Sequence, residues 1–235
     1  DGVLYAEGGF TRVIDSMREV IEAHGVTIMT STKVNAIATE RVRGKARATG
    51  VTYKNPDGHT HTLSADIVVS TTDLHHSETK LLPEELQTYP QKWWDKKVAG
   101  PSAVLLYLGV KGEVPELLHH SLFFTEDWDD NFSQIFADKP TVPSPASLYV
   151  CKPSATDSSV APKGHTNLFV LVPMPADVTL GHGGLNGSGD PAVEGIADRA
   201  IQQIIRWSGA SDLAERIVLR RSVGPANFAG DLNAW

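Results

Sequence analysis

The residues of this chain whose chemistry could go beyond packing fall into a few short groups. Gly8-Gly9 precedes a run with helical spacing. Two glycines there would let a helix N-terminus come close to a phosphate or to the edge of a flavin, and a tight turn into an ordinary helix needs the same two residues. Ser70, Thr71 and Thr72 follow the apolar run Ile67-Val68-Val69. Their hydroxyls would emerge at the carboxyl edge of a buried strand, where open α/β sheets place ligands. His59 and His61 stand two apart with Asp57 nearby, a set that suits a divalent metal and, more commonly, a solvated hairpin face. His75-His76 and His119-His120 are adjacent pairs, whose rings diverge on a regular element and so disfavour chelation. Cys151 has only Lys152 as a cationic neighbour in sequence and reads as a small packed residue rather than a nucleophile.

Three common signatures are missing from the sequence: GxGxxG, GxxxxGK[ST] and GxSxG. Gly187, Gly189 and Ala192 fit a looser GxGxxA spacing, but no strand leads directly into them. Neither a complete dinucleotide cradle nor a serine hydrolase follows, and no residue is assigned as catalytic or as a metal ligand. Trp93 and Trp94 lie among Lys92, Lys96 and Lys97. That mixture suits peripheral contact with a membrane, and it suits still better a helix with one tryptophan buried and its lysines in water. Glu126, Asp127, Asp129 and Asp130 read as a solvated helix start.

The elements that would position these groups follow from periodicity. Phe10, Val13, Ile14, Met17, Val20 and Ile21 make an amphipathic helix closed by Gly25. Residues 26–29 and 67–69 read as strands buried on both faces, with an antiparallel meander between them that turns at Asn55-Pro56-Asp57-Gly58. Beyond Asp73 the spacing predicts a helix start over 81–86, strands over 104–110, 146–151, 167–172 and 217–219, and a helix over 127–138. Residues 181–189 read as a mobile glycine-rich loop. Asp190-Pro191 opens a long helix on Val193, Ile196, Ala197, Ala200, Ile201 and Ile204, which Gly209 ends. The end at Trp235, with no element to tie it down, reads as that of a fragment.

Length and composition bound the classes. The chain has 235 residues, 41% of them hydrophobic and 21% charged, which is ordinary for a globular protein of two lobes. A formal charge of −7 disfavours nucleic acid as a partner. One cysteine excludes an internal disulfide and suits a cytoplasmic setting. No apolar run is long enough to span a bilayer.

As an ordered set, the segments resemble the flavin-dependent phytoene desaturases of the bacterial and fungal type. The matching residues are Tyr5-Ala6-Glu7-Gly8-Gly9-Phe10, Ala65-Asp66-Ile67-Val68-Val69-Ser70 and Leu118-His119-His120-Ser121. Further matches are the block from Thr156 to Gly164, Leu171-Val172-Pro173-Met174-Pro175 and Gly224-Pro225-Ala226-Asn227-Phe228. The resemblance implies an α/β to α+β protein in which an FAD-binding domain is joined to a substrate domain with a mainly antiparallel sheet. Residues 1–73 would be a partial FAD-binding domain, 74–224 the substrate domain and 225–235 the start of the return. The implied chemistry is hydride removal by FAD from a long polyene such as phytoene, at a membrane surface. By family position, the backbone around Val34 would meet the adenine end of FAD, Ser70, Thr71 and Thr72 would lie near the diphosphate, and Gly8 and Gly9 would approach the flavin. The family's glycine fingerprint precedes the matched region, so this chain reads as an inactive central piece that by itself holds no FAD. Asn227 departs from the pattern, standing where relatives often carry an acid. Two other readings stay open: an enzyme closer to the flavin-dependent amine oxidases, and a non-enzymatic polyene or lipid carrier.

Overall fold

A computed structural model describes residues 4–235. In chain order the elements are α1 (Phe10–Ala23), β1 (Lys33–Val42), β2 (Lys45–Lys54), β3 (Thr60–Ser64), α2 (Leu74–His76), α3 (Gln91–Trp94), β4 (Ser102–Lys111) and β5 (His120–Phe123). They continue as α4 (Trp128–Phe136), β6 (Leu148–Cys151), β7 (His165–Met174), α5 (Pro191–Ser208), α6 (Leu213–Arg216), β8 (Ile217–Val223) and α7 (Pro225–Leu232). The chain divides into two compact units, one of residues 4–20 with 100–228, the other of residues 21–99 with 229–235.

The second unit is built on the expected meander, an antiparallel sheet in the order β1-β2-β3. Gly50 sits where the strands crowd together: at φ +147° a Cβ there would lie 2.0 Å from the Leu63 carbonyl oxygen, so no larger residue fits. The two strands expected to flank the meander do not form. Residues 26–29 belong to no strand and Val26, Ile28 and Met29 are exposed, while Ile67 and Val69 are 80% and 78% exposed. A strand apolar on both faces needs neighbours for its backbone groups and cover for its side chains. Among the described residues, no strand pairs with either run. The apolar stripe of α1 is equally uncovered, with no residue of that helix buried.

Trp94 anchors this unit. Its ring is buried, its indole N–H donates to the Tyr89 carbonyl at 2.9 Å, and Trp235 packs against it at 5.0 Å. The C-terminus is therefore held, contrary to the expectation of a loose end: Trp235 N–H also donates to Asp73 at 3.3 Å. Trp93 is partly exposed, with the Lys97 ammonium 4.2 Å above its ring. One tryptophan is thus core and the other is capped by a lysine, so the pair does not offer two free indoles to a membrane.

The other unit carries the core. Its sheet runs β5-β6-β7-β4-β8, and every pairing in it is antiparallel. The period of two is plain in β7, where alternate residues Thr166, Leu168, Val170, Val172 and Met174 are buried. They join Val104, Leu106, Leu108 and Val110 of β4, and the apolar stripe of α5 belongs to the same core. Asp190 and Pro191 open α5 and Gly209, at φ +83°, closes it, as the spacing predicts.

Residues 181–189 are pinned rather than loose. Gly184 N–H donates to Ser222 Oγ at 2.8 Å, His182 N–H to Asp190 at 2.7 Å, and Gly189 N–H to Glu194 at 3.2 Å. Glu194 in turn accepts from Arg220 at 2.5 Å and from Ser222, so a nearly buried carboxylate organises the loop. Asn227 completes it: its Oδ1 accepts from Gly183 N–H at 2.7 Å and Gly224 N–H at 3.0 Å. The position needs a side-chain acceptor, and an amide oxygen meets that need as a carboxylate would.

Candidate functional site

Gly8 and the distant Thr156–Gly164 block meet. Asp157 accepts from Gly8 N–H at 2.7 Å, from Tyr5 Oη at 3.3 Å and from Ser159 through both N–H (2.9 Å) and Oγ (2.6 Å). The Ser159 hydroxyl, then the Gly8 and Ser159 N–H groups, hold the Asp157 carboxyl down at about 2, so it is ionised at neutral pH. Burial, then the Asp157 charge, raises the Tyr5 phenol. Gly8 and Gly9 both have left-handed backbones, at φ +86° and +83°, and a Cβ on Gly8 would lie 2.5 Å from Arg12 Cγ. Gly8 therefore gives close backbone approach, while its own N–H is already spent on Asp157. Nothing local in the sequence marks Asp157 as that partner, because the two residues are 149 positions apart.

Ser70 and Thr72 converge on Ser77, which bonds Ser70 Oγ at 2.7 Å and Thr72 Oγ1 at 2.8 Å, while Thr71 is exposed. Val34 is the second residue of β1, opposite Tyr53, and β1 packs on the turn Ser77–Leu81 that carries Ser77. Val34 and the hydroxyl cluster thus share one unit, while Gly8 and Gly9 belong to the other. The fit to a flavin nucleotide is partial. Hydroxyl groups at the end of an apolar run suit a polar phosphate edge, whereas the glycine cradle that would face it is missing from the sequence.

Part of the large sheet's face turned away from its core is apolar and open, while Arg221 of β8 stands on that face beside Tyr107. Register places Leu122 beside Tyr149, Tyr149 beside Leu171 and Tyr107 beside Phe169 on that face. At one end α4 stacks Trp128, Phe132 and Phe136 one turn apart, with centroids 5.5 and 6.1 Å apart, and Phe124 adds a fourth ring at 5.0 Å. These rings, with Tyr149 and Leu171, line a groove of about 230 Å³, and no residue lining it carries a charge. Sequence periodicity found the helix but not the groove, since a stripe at 128, 132 and 136 reads as a core face, and here all three rings stay about half exposed.

Along the same face sit His119, His120 and Cys151. The histidine rings do not diverge: their centroids are 4.4 Å apart, because His119 lies just outside β5 while His120 begins it. His119 Nδ1 bonds Thr156 Oγ1 at 2.6 Å and His120 Nδ1 bonds Tyr149 Oη at 2.7 Å. His119 Nε2 is buried without a partner, which costs about 1–3 kcal/mol if nothing meets it. Burial, then the neighbouring His120, lowers the His119 imidazole, while burial and the Cys151 thiol push Tyr149 up to about 12.

A crystal structure of an oxidoreductase from Methanosarcina mazei shares the fold, with a TM-score of 0.59 at 16% identity over 93% of this chain and 43% of that one. The sequence matches the flavin containing amine oxidoreductase family over residues 1–181, and the chain belongs to that family. Within it, the chain is 37% identical over 233 residues to a carotenoid 3,4-desaturase of Haloarcula japonica, covering 99% of this chain and 43% of the relative. It is 35% identical over 193 residues to a phytoene desaturase of Fusarium fujikuroi, covering 81% of this chain and 32% of the relative. The resemblance to carotenoid desaturases read from the motifs is thus borne out. The chain spans less than half the length of these relatives. Among the described residues, no helix is long and apolar enough to cross a membrane.

Proposed function

We propose that this chain is the central part of an FAD-dependent desaturase that removes hydride from a long carotenoid precursor. The observation that carries the substrate class is the uncharged aromatic groove on the open face of the large sheet. Flat rings of Phe124, Trp128, Phe132 and Tyr149 suit a flat conjugated chain, and the groove offers no carboxylate to pair with an amine cation. It therefore favours a polyene over the substrates of an amine oxidase. FAD, when bound, supplies the hydride acceptor. The residues of this chain would hold and align: Gly9 beside the flavin, Val34 at the adenine end, and Ser70, Thr71 and Thr72 toward the diphosphate. Asp157 keeps Gly8 and Tyr5 in register for that contact. The groove aligns an apolar chain and excludes water.

We assign residues 1–73 and 225–235 to the flavin side and 74–224 to the substrate side. The uncovered apolar surfaces of α1 and of residues 26–29 and 67–69 support this reading, because they all fall in the part that a complete flavin domain would cover. The 235-residue chain alone is then inactive, and the complete protein takes its substrate from a membrane surface by peripheral contact. The test is flavin absorbance and phytoene conversion by the complete protein and by this chain. A complete protein that purifies without FAD and leaves phytoene unchanged overturns the proposal. Carotenoid binding with neither flavin nor turnover would identify a carrier instead.

A further inference from the structure

We infer that His119, His120 and Cys151 form a metal site for a zinc-class divalent cation, held by two imidazole nitrogens and one thiolate at the margin of the aromatic groove. One donor atom from each residue lies within 4.8 Å of the other two. Zinc–nitrogen bonds of about 2.0–2.1 Å and zinc–sulfur bonds of about 2.3 Å set tetrahedral donors roughly 3.3–3.6 Å apart. Binding an ion therefore asks the set to close by at most about an ångström.

The hydrogen bonds around the trio are those that metal ligands need. Both Nδ1 atoms are already engaged, by Thr156 Oγ1 and by Tyr149 Oη, which leaves each Nε2 as the donor atom. His119 Nε2 is buried and unpartnered, and a metal ion would satisfy it. If His120 Nδ1–H donates to Tyr149 Oη, the phenol proton is free to turn toward Cys151, which shares that face of β6. That order leaves the His120 Nε2 lone pair open to a metal ion. Two imidazoles and a thiolate match zinc rather than calcium or magnesium, which take oxygen donors. Three protein donors with His120 at the surface leave a fourth position to water. The site joins the start of β5 to the end of β6, whose His120 and Cys151 are register partners, and it fixes Tyr149, a wall of the groove.

The proposal is independent of the flavin reading, and its readouts need no flavin. Titration of the purified, reduced protein with Co²⁺ as a spectroscopic stand-in should give one equivalent of binding, a near-ultraviolet thiolate charge-transfer band and the strong visible bands of low coordination, all displaced by Zn²⁺. Cys151→Ser should abolish the charge-transfer band. His119→Gln and His120→Gln should each weaken binding at least about 10-fold, and Tyr149→Phe should weaken it about 10-fold through the lost orienting bond. Because Cys151 is the only cysteine, the unmodified protein offers a second reading: Zn²⁺ should slow its alkylation at least 10-fold. The inference is overturned if the charge-transfer band is missing, if Zn²⁺ leaves the alkylation rate unchanged, or if folded Cys151 and His119 variants bind Co²⁺ as the parent does.

Discussion

Truncation of Phe132 gives the most direct test of the groove as the polyene path. Phe132 lies in the middle of the α4 ring stack and is 49% exposed. A phenylalanine presents roughly 200 Å² in an unfolded chain, so about 100 Å² remains for a ligand to cover. At about 25 cal/mol per Å², cover of half to all of that area is worth about 1–2.5 kcal/mol, or about 5- to 70-fold in affinity. Phe132→Ala in the complete protein, assayed with the polyene in liposomes, should raise the half-saturating substrate concentration by that factor and leave flavin content unchanged. The turnover rate at saturation should fall little, because the ring lies along the bound chain rather than at a reacting carbon. Val218→Ser, at a 57% exposed position on β8 outside the groove, serves as the control and should leave half-saturation unchanged. An unaltered half-saturation in folded, flavin-loaded Phe132→Ala, or an equal effect in Val218→Ser, would refute the assignment of this groove to substrate.

Three further expectations follow from the hydrogen-bond networks. Glu194→Ala removes the buried carboxylate that Arg220 and Ser222 share, leaves the arginine with the exposed Asp198 and a backbone carbonyl, and frees the loop at Gly189, and should cost about 3 kcal/mol in urea unfolding. Asp198→Ala removes the same arginine's partner that is 66% exposed, and should cost less than about 1 kcal/mol, so equal losses would argue against the network as drawn. Asn227→Asp keeps the acceptor for Gly183 and Gly224 and should melt like the parent, whereas Asn227→Leu, which leaves two N–H groups unmet, should cost about 2 kcal/mol. Asp157 titrates at about 2 in the folded chain against an ordinary 3.8. Its stabilising effect is therefore complete above that ordinary value and is lost as pH falls through about 2. The gap in melting temperature between the parent and Asp157→Asn should narrow on acidification across that window, and a constant gap would exclude the carboxylate as the cause.

Local pattern was enough for much of this protein. The apolar stripe of α5 between Asp190-Pro191 and Gly209, the alternation in β4 and β7 and the turn at Asn55-Pro56-Asp57-Gly58 are properties of neighbouring residues, so each was legible before any tertiary contact was known. The ordered motifs also carried the family. Only the tertiary structure decided the fate of Ile67-Val68-Val69: hydrophobicity says that a run wants burial, but a strand exists only where another strand meets its backbone, and among the described residues no strand pairs with this one. The same holds for the contacts that shape the site. Asp157 reaches Gly8 across 149 positions, Asn227 ties down Gly183, and His119 turns toward His120 and Cys151 because it lies just outside a strand whose start the sequence does not mark. Periodicity shows which face of an element is apolar, and it takes the packed chain to determine what that face and its polar neighbours meet.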